Sequence, residues 1–259
     1  MISFPNAKIN IGLSILEKRS DGFHNIESIF YPVYCCDVLE INKCDTFQFT
    51  QTGITLDKGT NLCVKAYQLL KEVFDIANVK IHLHKAIPVG AGLGGGSSDA
   101  AFTIKTLNTL FKLQLSNVEM KEFAAQLGSD CAFFIDNKPA FATGRGEILN
   151  NIELVLNKYF IYIAYPNVFI STPEAFRGII PSHKTKSLSE LIKLPISNWK
   201  NNISNDFEES IFLKYSQIKA AKDKFYQMGA IYASMSGSGS AVYGIFENEQ
   251  RERIFLGCL

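Results

Sequence analysis

The chain has almost no net charge: 26 Lys and Arg against 25 Asp and Glu leave +1. Chains that bind nucleic acid carry a basic excess or stripe, so no nucleic-acid partner is expected here. The densest basic cluster, His183-Lys184-Thr185-Lys186, reads as a solvated loop. Long hydrophobic runs are also missing. The longest apolar-aromatic stretch, Tyr159 to Tyr165, falls far short of the roughly 20 residues that a spanning helix needs, and no membrane association is expected. The opening MISFPNAKINIGLSI lacks the basic start and unbroken apolar core of a secretory leader. Cysteines stand at 35, 36, 44, 63, 131 and 258 without a CxxC pair. That excludes the common zinc and redox motifs and suits reduced thiols in a cytoplasmic protein. Nothing in the sequence signals an oligomeric state.

What remains is an ordinary globular composition, 47% hydrophobic and 20% charged over 259 residues. That is enough to bury a core without covalent staples. Val79, Ile81 and Leu83 alternate with Lys80, His82 and His84, which predicts a half-buried strand. Ala100, Ile104, Leu107 and Phe111 follow helical spacing, as do Leu62, Ala66, Leu69 and Val73. Ser116 and Glu119 fit a capping box for a helix that stops at Gly128. One further helix is predicted through Ile211, Tyr215, Ile218 and Phe225, ending near Gly229. Strands are predicted at Ile9–Leu16, Ile26–Val33, Thr46–Phe49 and Phe160–Ala164. Ile231–Met235 and Ala241–Phe246 read as a pair flanking a Ser-Gly turn. This order is α+β and not strict βαβα alternation. The polar stretch TGRGEILNN ending at Asn151 reads as a separator, dividing the chain into 1–150 and 151–259.

Between strand and helix lies IPVGAGLGGGSSDAAF, with glycine at 90, 92, 94, 95 and 96. Glycines let successive backbone N–H groups face one point. The adjoining helix start adds unpaired donors and the positive end of its dipole. A phosphate is the natural guest, and Ser97 is placed to cap the helix. Yet the loop lacks the lysine of a GxxxxGK[ST] loop: Gly96 occupies that place. The GxGxxG match at Gly90, Gly92 and Gly95 lacks the acidic residue a dinucleotide fold needs about 20 positions on. The cation for the phosphates must come from elsewhere in the chain.

PVGAGLGGGSSDAA resembles the phosphate loop of the GHMP kinases. AKINIGLSI at 7–15 and MSGSGSAVYGIF at 235–246 resemble that family's first and third motifs, in the expected order. Asp21-Gly22-Phe23-His24 running into NIESIF resembles the branch whose substrate is CDP-methylerythritol, on the non-mevalonate route to isoprenoid precursors. So do Thr60-Asn61-Leu62, Gly128-Ser129-Asp130, Gly144-Arg145-Gly146-Glu147, Ser171-Thr172-Pro173 and Asn205-Asp206-Phe207-Glu208. DGFHNIESIF weighs against a mevalonate, homoserine or sugar kinase. The missing acidic spacing weighs against a nicotinamide enzyme, and the charge balance against an RNA-binding module.

The resemblance implies an ATP- and Mg2+-dependent kinase acting on the substrate's 2-hydroxyl. It implies an N-terminal domain like ribosomal protein S5 domain 2 over 1–150 and a ferredoxin-like domain over 151–259. It places the catalytic lysine on Lys8 and the catalytic aspartate on Asp130. ATP is expected along Pro88, Val89, Gly90, Ala91, Gly92, Leu93, Gly94, Gly95, Gly96, Ser97 and Ser98, with Lys85 and Asn61 nearby. Phe23 and Phe176 are expected on either side of cytosine, with His24 at its edge, Asn10 at the methylerythritol end and Thr172 against the substrate. Phe23 replaces the family's more usual tyrosine, which removes a hydroxyl but keeps an aromatic face. Other members hold Mg2+ with a loop serine and a carboxylate. Ser98 fits the first loosely, no carboxylate stands out for the second, and the metal ligands stay unassigned.

Overall fold

Alternating burial builds the first sheet in a computed structural model that describes residues 1–55, 61–182 and 184–250. In chain order the first elements are β1 (Ile2–Ser3), β2 (Asn6–Lys18), β3 (His24–Cys36), β4 (Val38–Lys43), β5 (Gln48–Gly53), α1 (Leu62–Val73), β6 (Val79–Lys85), α2 (Gly95–Phe111), α3 (Asn117–Leu127) and α4 (Phe133–Asp136). There follow β7 (Ala140–Thr143), β8 (Ile148–Asn151), β9 (Phe160–Ala164), α5 (Thr172–Phe176), α6 (Leu188–Leu191), a 3-10 turn (Ile196–Asn198), α7 (Trp199–Asn202), α8 (Phe207–Lys214), α9 (Ser216–Gln227), β10 (Tyr232–Met235) and β11 (Val242–Phe246). The chain forms two units interleaved in sequence. One gathers Met1–Ala7, Pro32–Val89 and Gly94–Lys138; the other gathers Lys8–Tyr31, Gly90–Leu93 and the chain from Pro139 onward. A single cut near residue 150 does not describe that interleaving.

In the first unit the sheet order is β1-β4-β6-β5. β4 lies antiparallel to β6 with Ile41 beside Ile81, and β5 lies parallel to β6. Val79, Ile81 and Leu83 are buried as their period of two predicts. On the other face His82 and His84 hydrogen-bond Thr50 and Thr52, a cross-strand ladder. Ala66 and Leu70 of α1 and Ala100, Ala101, Ile104 and Leu107 of α2 are buried in the same unit's core. The Ser116–Glu119 capping box forms as expected and α3 stops at Gly128. The start of α2 differs from expectation. Its N-cap is Gly94, at φ +71° with no side-chain cap, so Gly95, Gly96 and Ser97 are already helical and Ser97 is not the cap.

The second unit holds two sheets, β2-β3-β7-β8 and β10-β11-β9. TGRGEILNN is not a separator. Thr143 pairs with Ile148 and Ala140 with Asn151, so the stretch closes a β7–β8 hairpin. β10 and β11 pair antiparallel around the Ser-Gly turn, as expected. Phe207, Ile211, Ile218, Phe225, Met235, Val242 and Phe246 form this unit's core. The single helix predicted through Ile211 and Phe225 is two, because Tyr215 leaves helical geometry (φ −127°, ψ 78°) between α8 and α9. Among the described residues Cys35, Cys36, Cys44, Cys63 and Cys131 form no disulfide; Cys258 and His183 lie outside the described residues. No helix among the described residues is long and apolar enough to cross a membrane.

Candidate active site

The glycine segment spends its carbonyls and keeps its amides. In the second unit the Ala91 carbonyl accepts from Ala241 N (3.0 Å) and the Leu93 carbonyl from Lys8 N (2.9 Å). The Gly92 carbonyl accepts from Ser236 Oγ (2.8 Å) and Lys8 Nζ (3.3 Å). In the first unit the Gly94 carbonyl accepts from Ser98 N (2.9 Å). None of the backbone N–H groups from Gly90 to Leu93, or from Gly94 to Ser97, donates a hydrogen bond among the described residues. Gly94 to Ser97 also open a 17-residue helix. Its positive dipole end and unpaired N–H groups favour an anion.

The glycines are there for two different reasons. A Cβ on Gly92 would stand 1.9 Å from the Ser236 carbonyl oxygen, and Gly92 sits at φ +76°. Here the protein's own turn excludes a side chain. At Gly96 a Cβ would meet only Leu62 Cδ1, at 3.7 Å, and Gly96 is exposed. Gly92→Ala is therefore expected to lower stability by about 2–3 kcal/mol through backbone displacement and strain. A thermal melt should fall by roughly 5–10 °C, and an unchanged melting temperature would contradict the packing described.

Lys85, expected at the nucleotide, is turned inward. It shares the parity of Val79, Ile81 and Leu83, and its side chain is 1% exposed. Its ammonium donates to Asp99 Oδ2 (2.8 Å) and to Asp37 Oδ2. Asp37 Oδ1 accepts from Ala86 N (2.6 Å) and Ile87 N (2.8 Å). A Cβ on Gly95 would stand 2.8 Å from Lys85 Nζ, so the ammonium lies directly under the first turn of α2. Burial pushes the Lys85 ammonium down, but Asp99 and Asp37 outweigh it and the net shift is upward. Burial pushes the Asp99 carboxyl up, to about 7, against the pull of Lys85. Asp99 Oδ1 and the Ser98 hydroxyl are buried without a partner among the described residues. The Ser98 backbone N–H is spent on the Gly94 carbonyl. Asn61, also expected near ATP, is the N-cap of α1, where its side chain accepts from Cys63 N (2.8 Å). Pro88 is buried and Val89 exposed.

Lys8 and Asn10 lie on one face of β2 in the second unit, 3% and 2% exposed. Lys8 Nζ donates to Asn10 Oδ1 (2.5 Å) and lies 4.7 Å from the centre of the Phe30 ring. Asn10 Nδ2 donates to Ser28 Oγ (2.8 Å), its N–H donates to Ser236 Oγ (3.1 Å), and its carbonyl accepts from Tyr243 (2.9 Å). Asn10 therefore orients Lys8 and ties β2 to the Ser-Gly turn. Asp130 belongs to the first unit, half-buried in the turn between α3 and α4. Asp37, Asp99, Ser28 and Ser236 carry roles that the sequence reading did not assign.

Of the residues expected at cytosine, the His24 ring lies flat on Phe176, 4.7 Å between centroids and 17° between planes. Phe176 also meets Phe207 edge-on. Desolvation, then Lys18, pushes the His24 imidazole down; a neutral ring both donates and accepts. Phe23 is 53% exposed and carries the Arg145 guanidinium 4.9 Å from its ring centre. Thr172 is exposed at the first turn of α5.

Comparison with known proteins bears on this arrangement. Residues 61–145 match the GHMP kinases N terminal domain and 182–257 the GHMP kinases C terminal domain. The chain is 52% identical over 254 residues to the 4-diphosphocytidyl-2-C-methyl-D-erythritol kinase of Azobacteroides pseudotrichonymphae, covering 97% of this chain and 95% of that one. It is 50% identical over 257 residues to the protein of the same name from Bacteroides fragilis, covering 97% and 94%. A crystal structure of 4-(cytidine 5'-diphospho)-2C-methyl-D-erythritol kinase superposes with a TM-score of 0.83 at 29% identity, covering 95% of this chain and 90% of that one. A homoserine kinase from Cytophaga hutchinsonii, 16% identical with a TM-score of 0.66 over 94% and 85%, shares the fold.

Proposed function

The chain belongs to the GHMP kinases and, within them, to the 4-diphosphocytidyl-2-C-methyl-D-erythritol kinases, and from that membership we propose how its residues move a phosphoryl group from ATP to the substrate's 2-hydroxyl. The observation that carries the reading is the run of unspent backbone N–H groups from Gly90 to Ser97, whose carbonyls at 91–94 are all engaged. Such a run suits a polyanion, and the phosphates of a nucleotide supply one. The triphosphate lies on this backbone, and the helix start draws its charge.

Asp130 accepts the proton of the substrate hydroxyl as the bond to phosphorus forms. Lys8 supplies the cation that the glycine segment lacks, stabilising charge on the reacting oxygens. Catalysis is then mostly positioning and electrostatics. Lys85 takes no direct part; it braces the first turn of α2 from below. Phe23 offers a ring face to cytosine and His24 its edge. Mg2+ supplies neutralisation of phosphate charge in such chemistry. The described residues contain no cluster of three or more His, Cys, Asp or Glu able to hold a metal. They do not form an all-protein cage, and a Mg2+ ion held largely by phosphates and water suits its reluctance to dehydrate.

Gly96→Ala tests the nucleotide cradle apart from the fold. Only Leu62 Cδ1 lies near its new methyl, so stability should move by less than about 1 kcal/mol. Alanine keeps the N–H, but its methyl holds a phosphate off this backbone, so the KM for ATP should rise roughly 10-fold, the scale of one charge-assisted hydrogen bond weakened. An unchanged KM would remove the N–H run from the nucleotide site.

A further inference from the structure

Two turns of the second unit meet at Phe23. The β2–β3 turn is closed by Gly22 N donating to the Arg19 carbonyl (3.2 Å) and Arg19 N donating to the Phe23 carbonyl (2.8 Å). Phe23 N donates to Asp21 Oδ1 (3.1 Å), which holds the aromatic ring on the outside of the turn. The β7–β8 turn is closed by Gly146 N donating to the Thr143 carbonyl (3.0 Å). Ile26 N donates to the Gly144 carbonyl (2.7 Å), locking the two turns together.

Two arginines stand at this rim, and their donors are used differently. Arg19 spends its Nε and Nη2 on Asp21 and its Nη1 on Asn25. Arg145 has its Nε 3.4 Å from Glu147 Oε1 and its Cζ 4.9 Å from the centre of the Phe23 ring. Its Nη1 and Nη2 carry no hydrogen bond among the described residues, and its side chain remains 40% exposed. These two contacts bias the guanidinium toward one position, so less freedom is lost when the fork engages a ligand. A guanidinium so placed, with its terminal fork unspent, matches the two oxygens of a phosphate.

We propose that Arg145 is a specificity residue that reads the phosphate groups of the cytidine diphosphate, while the neighbouring Phe23 and His24 take the base. The inference rests on the pyrimidine-nucleotide reading above and adds the group that distinguishes a nucleotide from a nucleoside. The competing role for Arg145 is to brace the Phe23 ring, which would affect every cytosine ligand equally.

Isothermal titration of CDP and of cytidine into the full chain separates the two. Wild type should bind CDP more tightly than cytidine. Arg145→Ala should weaken CDP about 10-fold or more, the loss of a charge-assisted bidentate contact, while cytidine changes less than about 3-fold, the scale of an exposed cation–π contact. ATP binding should not change, which also reports that the variant is folded. Arg145→Lys keeps a cation over the ring and loses the fork, so CDP should weaken by a smaller factor and cytidine should hold. Equal weakening of CDP and cytidine, or no change in either, would overturn the assignment. A wild-type chain indifferent between CDP and cytidine would also overturn it, whereas a wild-type chain that binds neither would overturn the pyrimidine-nucleotide reading itself.

Discussion

Asp130→Asn should leave the fold intact and slow phosphoryl transfer by about 10²–10⁴, the usual worth of a general base. The substituted amide keeps the shape and size of the carboxylate and loses its negative charge and its capacity to take a proton. Asp130 sits half-buried in a turn between two helices, so the substitution opens no cavity. The expected signature is a fall in kcat with the Kd for ATP unchanged, because the proposed nucleotide contacts are backbone groups from Gly90 to Ser97. A variant turning over at close to the wild-type rate would remove Asp130 from the chemistry. A variant that lost ATP binding in parallel would mean that Asp130 holds the site's shape.

The second large effect is on stability. Lys85→Met should cost about 3–5 kcal/mol, the scale for breaking a buried ion pair. The substitution preserves most of the volume but strips the counter-charge from Asp37 and Asp99, both essentially inaccessible to solvent. Asp99→Asn should be far milder, within about 1 kcal/mol, because an amide oxygen still accepts from Lys85 and one buried charge is removed. Urea unfolding of the two variants measures both. If Lys85→Met proved as mild as Asp99→Asn, the ammonium would not be the keystone under α2. Because Gly95 lies directly over that ammonium, Lys85→Met should also raise the KM for ATP.

The family was legible in short motifs, and most long elements in simple periodicities. The parity of Val79, Ile81 and Leu83 predicted β6, and the Ser116–Glu119 pair predicted the start of α3. The same parity, carried one step further, puts Lys85 inside the core. The expectation of a nucleotide contact came from resemblance and overlooked that step. The short hairpin β7–β8 was missed because Gly-Arg-Gly-Glu looks like a polar linker when no partner strand is known. The helix break at Tyr215 was hidden because the apolar spacing runs through it unbroken. Gly92 and Gly96 could not be told apart in sequence. Only the approach of the Ser236 carbonyl, more than 140 positions away, shows that one serves packing and the other leaves space. The stacking of His24 on Phe176 likewise depends on a contact distant in sequence.

The account is tested most directly by incubating the chain with ATP and CDP-methylerythritol and identifying the product by phosphorus NMR, with Lys8→Ala and Asp130→Ala run alongside. The predicted result is a new monoester at the 2-hydroxyl in wild type, with both variants slower by about 10² or more. Phosphorylation of homoserine or mevalonate in place of this substrate, or full-rate turnover by both variants, would contradict it.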